Sequence, residues 1–404
     1  MARATPETVA RIEPTLLEQP PVALADLSTA IAGASAGLGA RLHPRTAANL
    51  ADLVRITNTY YSNLIEGHNT RPRDIQRALD GDLDQEEGRR NLQLEAAAHV
   101  RVQAEIDRMA AAGTLPEPAS REFICWLHRE FYRDAPEAHL RIRTQDRAFL
   151  MQPGAWRSRP EHDNQVGRHI PPASIRVADF MQRFEERYRL EPLGVAARII
   201  AIPAAHHRLN YIHPFSDGNG RVSRLMSHAM AAKAGIGAHG LWSISRGLSR
   251  GLADGLAGRQ EYKRMMDHAD TPRQGDLDGR GNLSQRALIE FSQWFLQVCL
   301  DQITFMTGLF ELDALERRLH VLVDRHEQLK PEAARLLDEA LVRGEFERGA
   351  AQRITGLPER TTRRLLGDVV AQGLLGSSTP KGPLSLRFPE NALETLFPRL
   401  FGDA

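Results

Sequence analysis

Between His213 and Arg224 the chain reads "HPFSDGNGRVSR", a stretch whose residue types and spacing suit phosphate binding and proton transfer. Gly218 and Gly220 allow backbone angles and close approach that side chains forbid, and Asn219 between them tolerates a left-handed conformation. Where such a turn opens a helix, its free N–H groups and the helix dipole favour an anion. Arg221 and Arg224 are three apart, so they project from one helical face and can clamp further phosphate oxygens. Asp217, at the mouth of the turn, suits a hard cation such as Mg²⁺ held between phosphates. His213 can take a proton from an incoming hydroxyl, with Pro214 and the apolar Phe215 fixing the loop. Together these residues suit transfer from a nucleoside polyphosphate.

A loop this polar needs rigid supports. Directly before it, "GVAARIIAIPAAHHRLNYI" reads as a buried helix, and another helix starts just beyond Gly220. Abundant Ala and Leu at helical intervals predict a mainly α protein. Helices are expected over 47–64, with Gly67 as the stop, over 91–113 ending at Gly113, and over "SREFICWLHREFYR". Residues 152–172, rich in Pro, Gly and Arg, predict an exposed loop or short hairpin before helix resumes with "RVADFMQRFEERYRL". The N-terminal stretch, with its Pro clusters and "IAGASAGLGA", is expected to connect short elements, and one long helix is expected over 283–326. Adjacent on a helix, His206 and His207 point apart and cannot share a metal. "GDLDGRGN", 275–282, reads as a turn, since Arg280 and Ala287 stand where a calcium loop needs oxygens.

The pattern His-x-Phe-x-Asp-Gly-Asn-Gly-Arg-x-x-Arg resembles the signature of the Fic family, which moves AMP from ATP onto a protein hydroxyl. The resemblance implies His213 as general base and Asp217 as the Mg²⁺ ligand. It implies Asn219 with the amides of Gly218 and Gly220 as the cradle of the α- and β-phosphates, Arg221 as a phosphate contact and Arg224 as the γ-phosphate clamp. It also implies a helical core with a small β-hairpin, the flap, that aligns the target's backbone. "NQVGRHIPP", with Val166, Gly167, Arg168, His169 and Ile170, is the flap candidate. "WSISRGLSR" and "EYKRMMDHAD" further on are similar to the family, which makes Tyr262 a nucleotide neighbour.

A second string agrees. "SNLIEG", Ser62 to Gly67, resembles the family's inhibitory pattern, in which Glu66 at a helix end would reach Arg224 and neutralise the cation meant for the γ-phosphate. The resemblance covers residues 53–307 and implies ATP and Mg²⁺ as substrate and cofactor. Its implied partners are a target protein with a Ser, Thr or Tyr hydroxyl and the chain itself by auto-modification, and family members often form homodimers. Removal of AMP, or transfer of another nucleotide, are alternatives within the class. Kinase-like transfer is disfavoured because Gly220 is intact.

From Glu311 onward three short helical segments are followed by "LLGSSTPKGPLSLRF", which reads as a two-stranded wing. The middle segments fit a helix-turn-helix with Gly356 in the turn and Thr361, Thr362, Arg363 and Arg364 opening a DNA-binding helix. The expected organisation is an N-terminal helical region with the inhibitory helix (1–105), a Fic core with its flap (106–310) and a winged helix-turn-helix domain (311–404). A nucleotide-sensing DNA-binding regulator is therefore the reading from a different class. Its weakness is charge, since residues 311–404 carry fourteen Lys or Arg against fifteen Asp or Glu.

Composition sets the bounds. In 404 residues, 42% are hydrophobic and 25% charged, as in ordinary globular proteins, and a net charge of +1 gives no global attraction to nucleic acid or membrane. Cys125 and Cys299, both in apolar runs, read as reduced core thiols. With no secretory pattern at the start and no bilayer-length apolar run, the expected location is the cytoplasm, without membrane contact.

Overall fold

Helical periodicity is realised along most of the chain. A computed structural model describes residues 7–143, 147–252 and 258–402, so residues 1–6 of the stretch searched for a secretory pattern lie outside the described residues. In order come α1 (Val22–Gly37), α2 (Pro44–Ile65), α3 (Pro72–Leu79), α4 (Glu87–Ala111), α5 (Arg121–Phe131) and α6 (Glu137–Leu140). The strands β1 (Arg141–Arg143) and β2 (Ala148–Leu150) precede α7 (Val177–Tyr188), α8 (Val195–Ile212), α9 (Asn219–Lys233), α10 (Ile244–Arg250), α11 (Gly258–Ala269) and α12 (Gln285–Leu309). Then follow α13 (Leu312–Arg325), α14 (Ala333–Arg343), β3 (Glu345–Phe346), α15 (Ala351–Thr355), α16 (Glu359–Ala371), β4 (Leu375–Gly376), β5 (Leu384–Leu386) and α17 (Glu390–Leu396).

The chain forms two compact units, one of Met1–Ser35, Asn58–Gly237 and Ser243–Gln302, the other of Ala36–Thr57, Ala238–Trp242 and Ile303–Ala404. Residues 1–105, read from the sequence as one region, are shared between them.

In the first unit α8 is buried on all sides, His206, His207 and Arg208 included, from Ile199 to Leu209. It packs on α7 and α9, and α9 packs in turn on α4 and α5. The loop after α8 is thereby set among α4, α5 and α9. On α7, Phe180, Phe184 and Tyr188 recur every four residues and are fully buried, each phenyl contributing about 1.5–3 kcal/mol. The N-terminal stretch is not a string of connections, because α1 holds sixteen residues through the Gly/Ala/Ser run. Its small side chains hid the period, but Leu24, Ser28, Ile31 and Ser35 line one buried face. β1 and β2 pair antiparallel, Arg141 opposite Leu150, ahead of the stretch read as loop or hairpin. Within that stretch only a bridge between Val166 and His169 has strand character among the described residues.

In the second unit β3, β5 and β4 form an antiparallel sheet in that order, against which α14 packs. Leu336, Leu337, Leu341, Leu365, Leu384 and Leu386 make its core. Gly356, at φ +70°, ends α15 in the left-handed conformation glycine accepts most readily. The long helix expected over 283–326 is in fact broken. Glu311 accepts from the N–H groups of Asp313 and Ala314 and starts α13 as its N-cap, while the apolar period continues on either side of the break.

Candidate active site

The last residue of α8's turn is forced into an unusual pose. His213 is left-handed, at φ 50° and ψ 58°, a conformation that costs a non-glycine residue about 1 kcal/mol or more. Its carbonyl accepts from Arg157 Nε at 2.7 Å, and the carbonyl of Pro214 accepts from the Arg157 amide at 2.8 Å. Burial, then the charges of Arg157 and His169, push the imidazole down to about 4, so at neutral pH it is uncharged and able to accept a proton.

Behind it the loop is locked. Phe215 is fully buried, stacked on His128 at 3.9 Å between ring centroids, with the tilted ring of Trp156 at 4.8 Å. His128 Nδ1 accepts from the Gly154 amide, which leaves Nε2 to donate to the Asp217 carbonyl at 3.2 Å. The Asn219 side chain takes a different part from the phosphate contact expected of it. Its Oδ1 accepts from the Phe215 amide at 2.9 Å and its Nδ2 donates to the Phe215 carbonyl at 2.8 Å, so only its backbone N–H is available to a cradle. Asn219→Ala orphans two buried backbone groups, and a loss of roughly 2–4 kcal/mol in unfolding free energy is expected, measurable by urea denaturation.

Gly218, at φ +79°, precedes α9, and a Cβ there would meet the Tyr132 ring at 2.9 Å. The amides of Asn219, Gly220 and Arg221 form the first turn of α9, where no preceding helical carbonyl is available to them. Asp217, 43% exposed, accepts through Oδ2 from Tyr132 Oη at 2.7 Å and from Arg221 Nη2 at 3.1 Å. Burial works to raise its pKa, yet the Arg221 charge and the Tyr132 hydrogen bond keep it below the ordinary carboxylate value. An ionised, partly exposed carboxylate beside a helix N-terminus fits Mg²⁺ shared with phosphates. Arg221 is itself buried, donating to Glu95 Oε2 at 2.6 Å, with its guanidinium 5.0 Å from the centre of the Phe131 ring. Glu95 also meets His139 Nε2 at 2.5 Å. Despite burial, the hydrogen bonds of its histidine neighbours and the Arg221 charge hold its carboxyl far below the usual range.

Arg224 is buried and does not face an empty space. Its Nε donates to Ser62 Oγ at 2.9 Å, and its Nη2 donates to the Ser62 carbonyl at 3.2 Å and to Glu66 Oε1 at 2.6 Å. Glu66 Oε1 lies so close to Gly220 that a Cβ on that glycine would collide with it. The carboxylate therefore sits against the first turn of α9, where an anion is favoured. Burial opposes its charge, but Arg224 and then Arg221 carry its pKa below the ordinary value. Gly67, at φ +89°, follows directly, and the Arg259 guanidinium holds the Leu64 carbonyl at 3.0 Å.

Other residues singled out by the sequence fall in varied places. Tyr262 is buried, with its hydroxyl on His206 Nε2 at 2.7 Å and its ring stacked on Trp294, so it braces the core behind Arg224 instead of lining an open pocket. His206 also bonds Ser227, while His207 bonds the Met266 carbonyl and pairs with Asp270. In the 166–170 segment, Val166 and His169 exchange backbone hydrogen bonds around Gly167, at φ +60°. Val166, Gly167, Arg168 and Ile170 are exposed, and His169 Nε2 lies 2.7 Å from the Tyr211 carbonyl. On α16, Arg363 and Arg364 are exposed and Thr361 is half-buried. Thr362 is buried on Thr355 and the Leu357 carbonyl, so its hydroxyl faces the core and not a groove. A cleft of about 410 Å³ is lined by Glu13, Arg176, Arg183 and Glu186, none of them in the signature stretch.

Tyr132, Glu95, His128 and Arg157 complete the site without having been singled out. The signal for Glu95 was a polar stripe, Glu95, His99 and Gln103, on the buried face of an otherwise Ala-rich helix.

The fold is shared with a crystal structure of a Fic family protein from Desulfovibrio desulfuricans, at a TM-score of 0.51 and 18% identity, over 92% of this chain and 99% of that one. It is a mainly helical, Fic-like fold with small antiparallel sheets. Residues 118–231, from α5 through most of α9, match the Fic/DOC family. Over 70 residues it is 43% identical to proteins named protein adenylyltransferase Fic from Drosophila erecta and Drosophila melanogaster. That alignment takes in 17% of this chain and 14% of theirs. Among the described residues no helix is long and apolar enough to cross a membrane.

Proposed function

We propose that this chain transfers AMP from Mg-ATP to a protein hydroxyl, its own included, and that Glu66 restrains the reaction. The observation that carries the reading is the Glu66 carboxylate lying against Gly220 and bonded to Arg224, at the helix start where a phosphate would be held. The site then works as an anion cradle kept closed by an anion of the chain itself. The name of the Drosophila relatives supports AMP as the transferred group.

When Glu66 is displaced, the amides of Asn219, Gly220 and Arg221 bind phosphate and Arg224 takes the γ-phosphate. Asp217 would hold Mg²⁺, which supplies neutralisation of the phosphate charge. His213, neutral at pH 7, accepts the proton of the target hydroxyl. The hydroxyl oxygen forms a bond to the α-phosphorus, the bond from that phosphorus to the bridging oxygen breaks, and pyrophosphate leaves with the electron pair. The exposed 166–170 segment aligns the target's backbone. The test is incubation with ATP labelled at the α-phosphate, read by intact-protein mass. A gain equal to AMP in a Glu66 variant supports the reading, and a gain equal to a single phosphoryl group without the α-label overturns it.

A second reading takes residues 333–386, with three helices and an antiparallel sheet, as a winged helix-turn-helix module. Exposed Arg360, Arg363 and Arg364 on α16 make DNA the ligand to test. Replacing Arg363 and Arg364 by Ala is expected to abolish a salt-dependent shift of duplex DNA, and unchanged binding removes α16 as the contact.

A further inference from the structure

Arg157 is among the most deeply buried side chains of the protein, at 1% exposure, and its donors are spent almost entirely on neutral acceptors. Nε donates to the His213 carbonyl at 2.7 Å, Nη2 to the carbonyls of Ile212 at 3.2 Å and Pro172 at 3.0 Å, and Nη1 to Ser174 Oγ at 2.8 Å. Asp163 stands 3.6 Å away, is 46% exposed, and already accepts from the Ser174 amide. Burial pushes the guanidinium down to about 10 against the opposing charges of Asp163 and Glu7. A cation in such a place is a poor stabiliser, since an apolar residue of similar volume commonly packs there at no loss.

The acceptors explain its presence. Two belong to the turn that holds His213 left-handed, and two to the chain just after the exposed 166–170 hairpin. We propose that Arg157 is a positioning residue that holds the proton-accepting imidazole of His213 and the target-aligning segment 164–174 in one fixed register. The proposal rests on the AMP-transfer reading. One planar fork bonded to both segments removes their relative freedom, as a nucleophile held in line with its base requires. Without it, the left-handed strain at His213 has a means of relaxing, and the imidazole moves off line. Lysine can reach one of these carbonyls but not all of them.

The test uses the full chain carrying Glu66→Gly, with Arg157→Lys and Arg157→Gln added separately, and reads AMP incorporation from labelled ATP. For Arg157→Lys, kcat is expected to fall about a hundredfold while KM for ATP stays within about threefold, the pattern of misplaced reacting groups. A purely structural role predicts a fall in folded fraction with unchanged kcat per folded molecule, and that result overturns the proposal. The second readout needs no turnover. The groups facing His213 are Arg157, His169 and Asp217, and Arg157 is the largest electrostatic influence among them. In Arg157→Gln the His213 pKa, followed by NMR of the ring, is expected to rise from about 4 while staying below the ordinary imidazole value, since burial remains, with Arg157→Lys close to the parent. An unmoved His213 titration in folded Arg157→Gln also overturns it. If Glu66→Gly alone incorporates no AMP, the transfer reading fails, and the titration alone still decides whether Arg157 governs His213.

Discussion

Glu66→Gly is expected to raise AMP incorporation by about a hundredfold or more, because it frees a buried, preorganised cation for phosphate charge. The parent holds Arg224 on Glu66 Oε1 at 2.6 Å and keeps a negative carboxylate against the first turn of α9. ATP must displace both to seat its terminal phosphate. Breaking a buried ion pair from one side commonly costs about 3–5 kcal/mol, and here the bound phosphate would replace the lost partner. Without ATP, Glu66→Gly leaves the Arg224 charge without a carboxylate partner, so the variant is expected to melt earlier than the parent and to recover when ATP is added. The pair also carries a pH signature. Glu66 has a folded-state pKa below its unfolded value, so its contribution is complete above the unfolded value and is lost as pH falls through the folded one. Thermal melts of parent and variant should draw together as pH falls below about 4.5 in the absence of nucleotide. A variant no faster than the parent in the labelled-ATP assay removes the restraint from the account.

Adding His213→Ala to Glu66→Gly is expected to cut that incorporation about 10²–10⁴-fold while leaving ATP binding intact, since general-base transfer contributes that much. The two effects separate binding from chemistry. Equilibrium ATP binding should follow Glu66, and turnover should follow His213. With the imidazole held at about 4, its neutral form dominates across physiological pH, so kcat is expected to stay flat down to about pH 5 and then to fall. A rate that instead falls through pH 6.5 would mean that the buried pose of His213 is not the reacting one.

The signature stretch was legible because phosphate chemistry demands fixed residue types at fixed intervals, and α8 and α9 because their apolar positions recur helically. Ser62 and Glu66 were legible only through resemblance, since nothing local joins them to Arg224, 158 positions away from Glu66. Arg157 was not legible, and Glu95 only as one member of a polar stripe, because a charge at a buried position acquires meaning from partners such as His213, 56 residues on, or Arg221, 126 residues on. Asn219 was read as a phosphate contact because the pattern shows a polar residue between glycines and not where its amide turns. Likewise α1 was masked by small residues, and the break at Glu311 by a hydrophobic period that runs straight through it.

The position of Glu66 sets a clock as well as an equilibrium. It follows directly on Ile65, the last residue of α2, with left-handed Gly67 next and the Leu64 carbonyl tied to Arg259. Withdrawing the carboxylate therefore requires fraying of a single terminal turn, not the melting of a helix whose upstream residues are buried. Terminal fraying carries little of the global unfolding free energy, and helix–coil relaxation takes about 0.1–1 μs. Under the proposed restraint, opening would then outpace turnover, and latency would be a matter of population, adjustable by any contact that grips the end of α2.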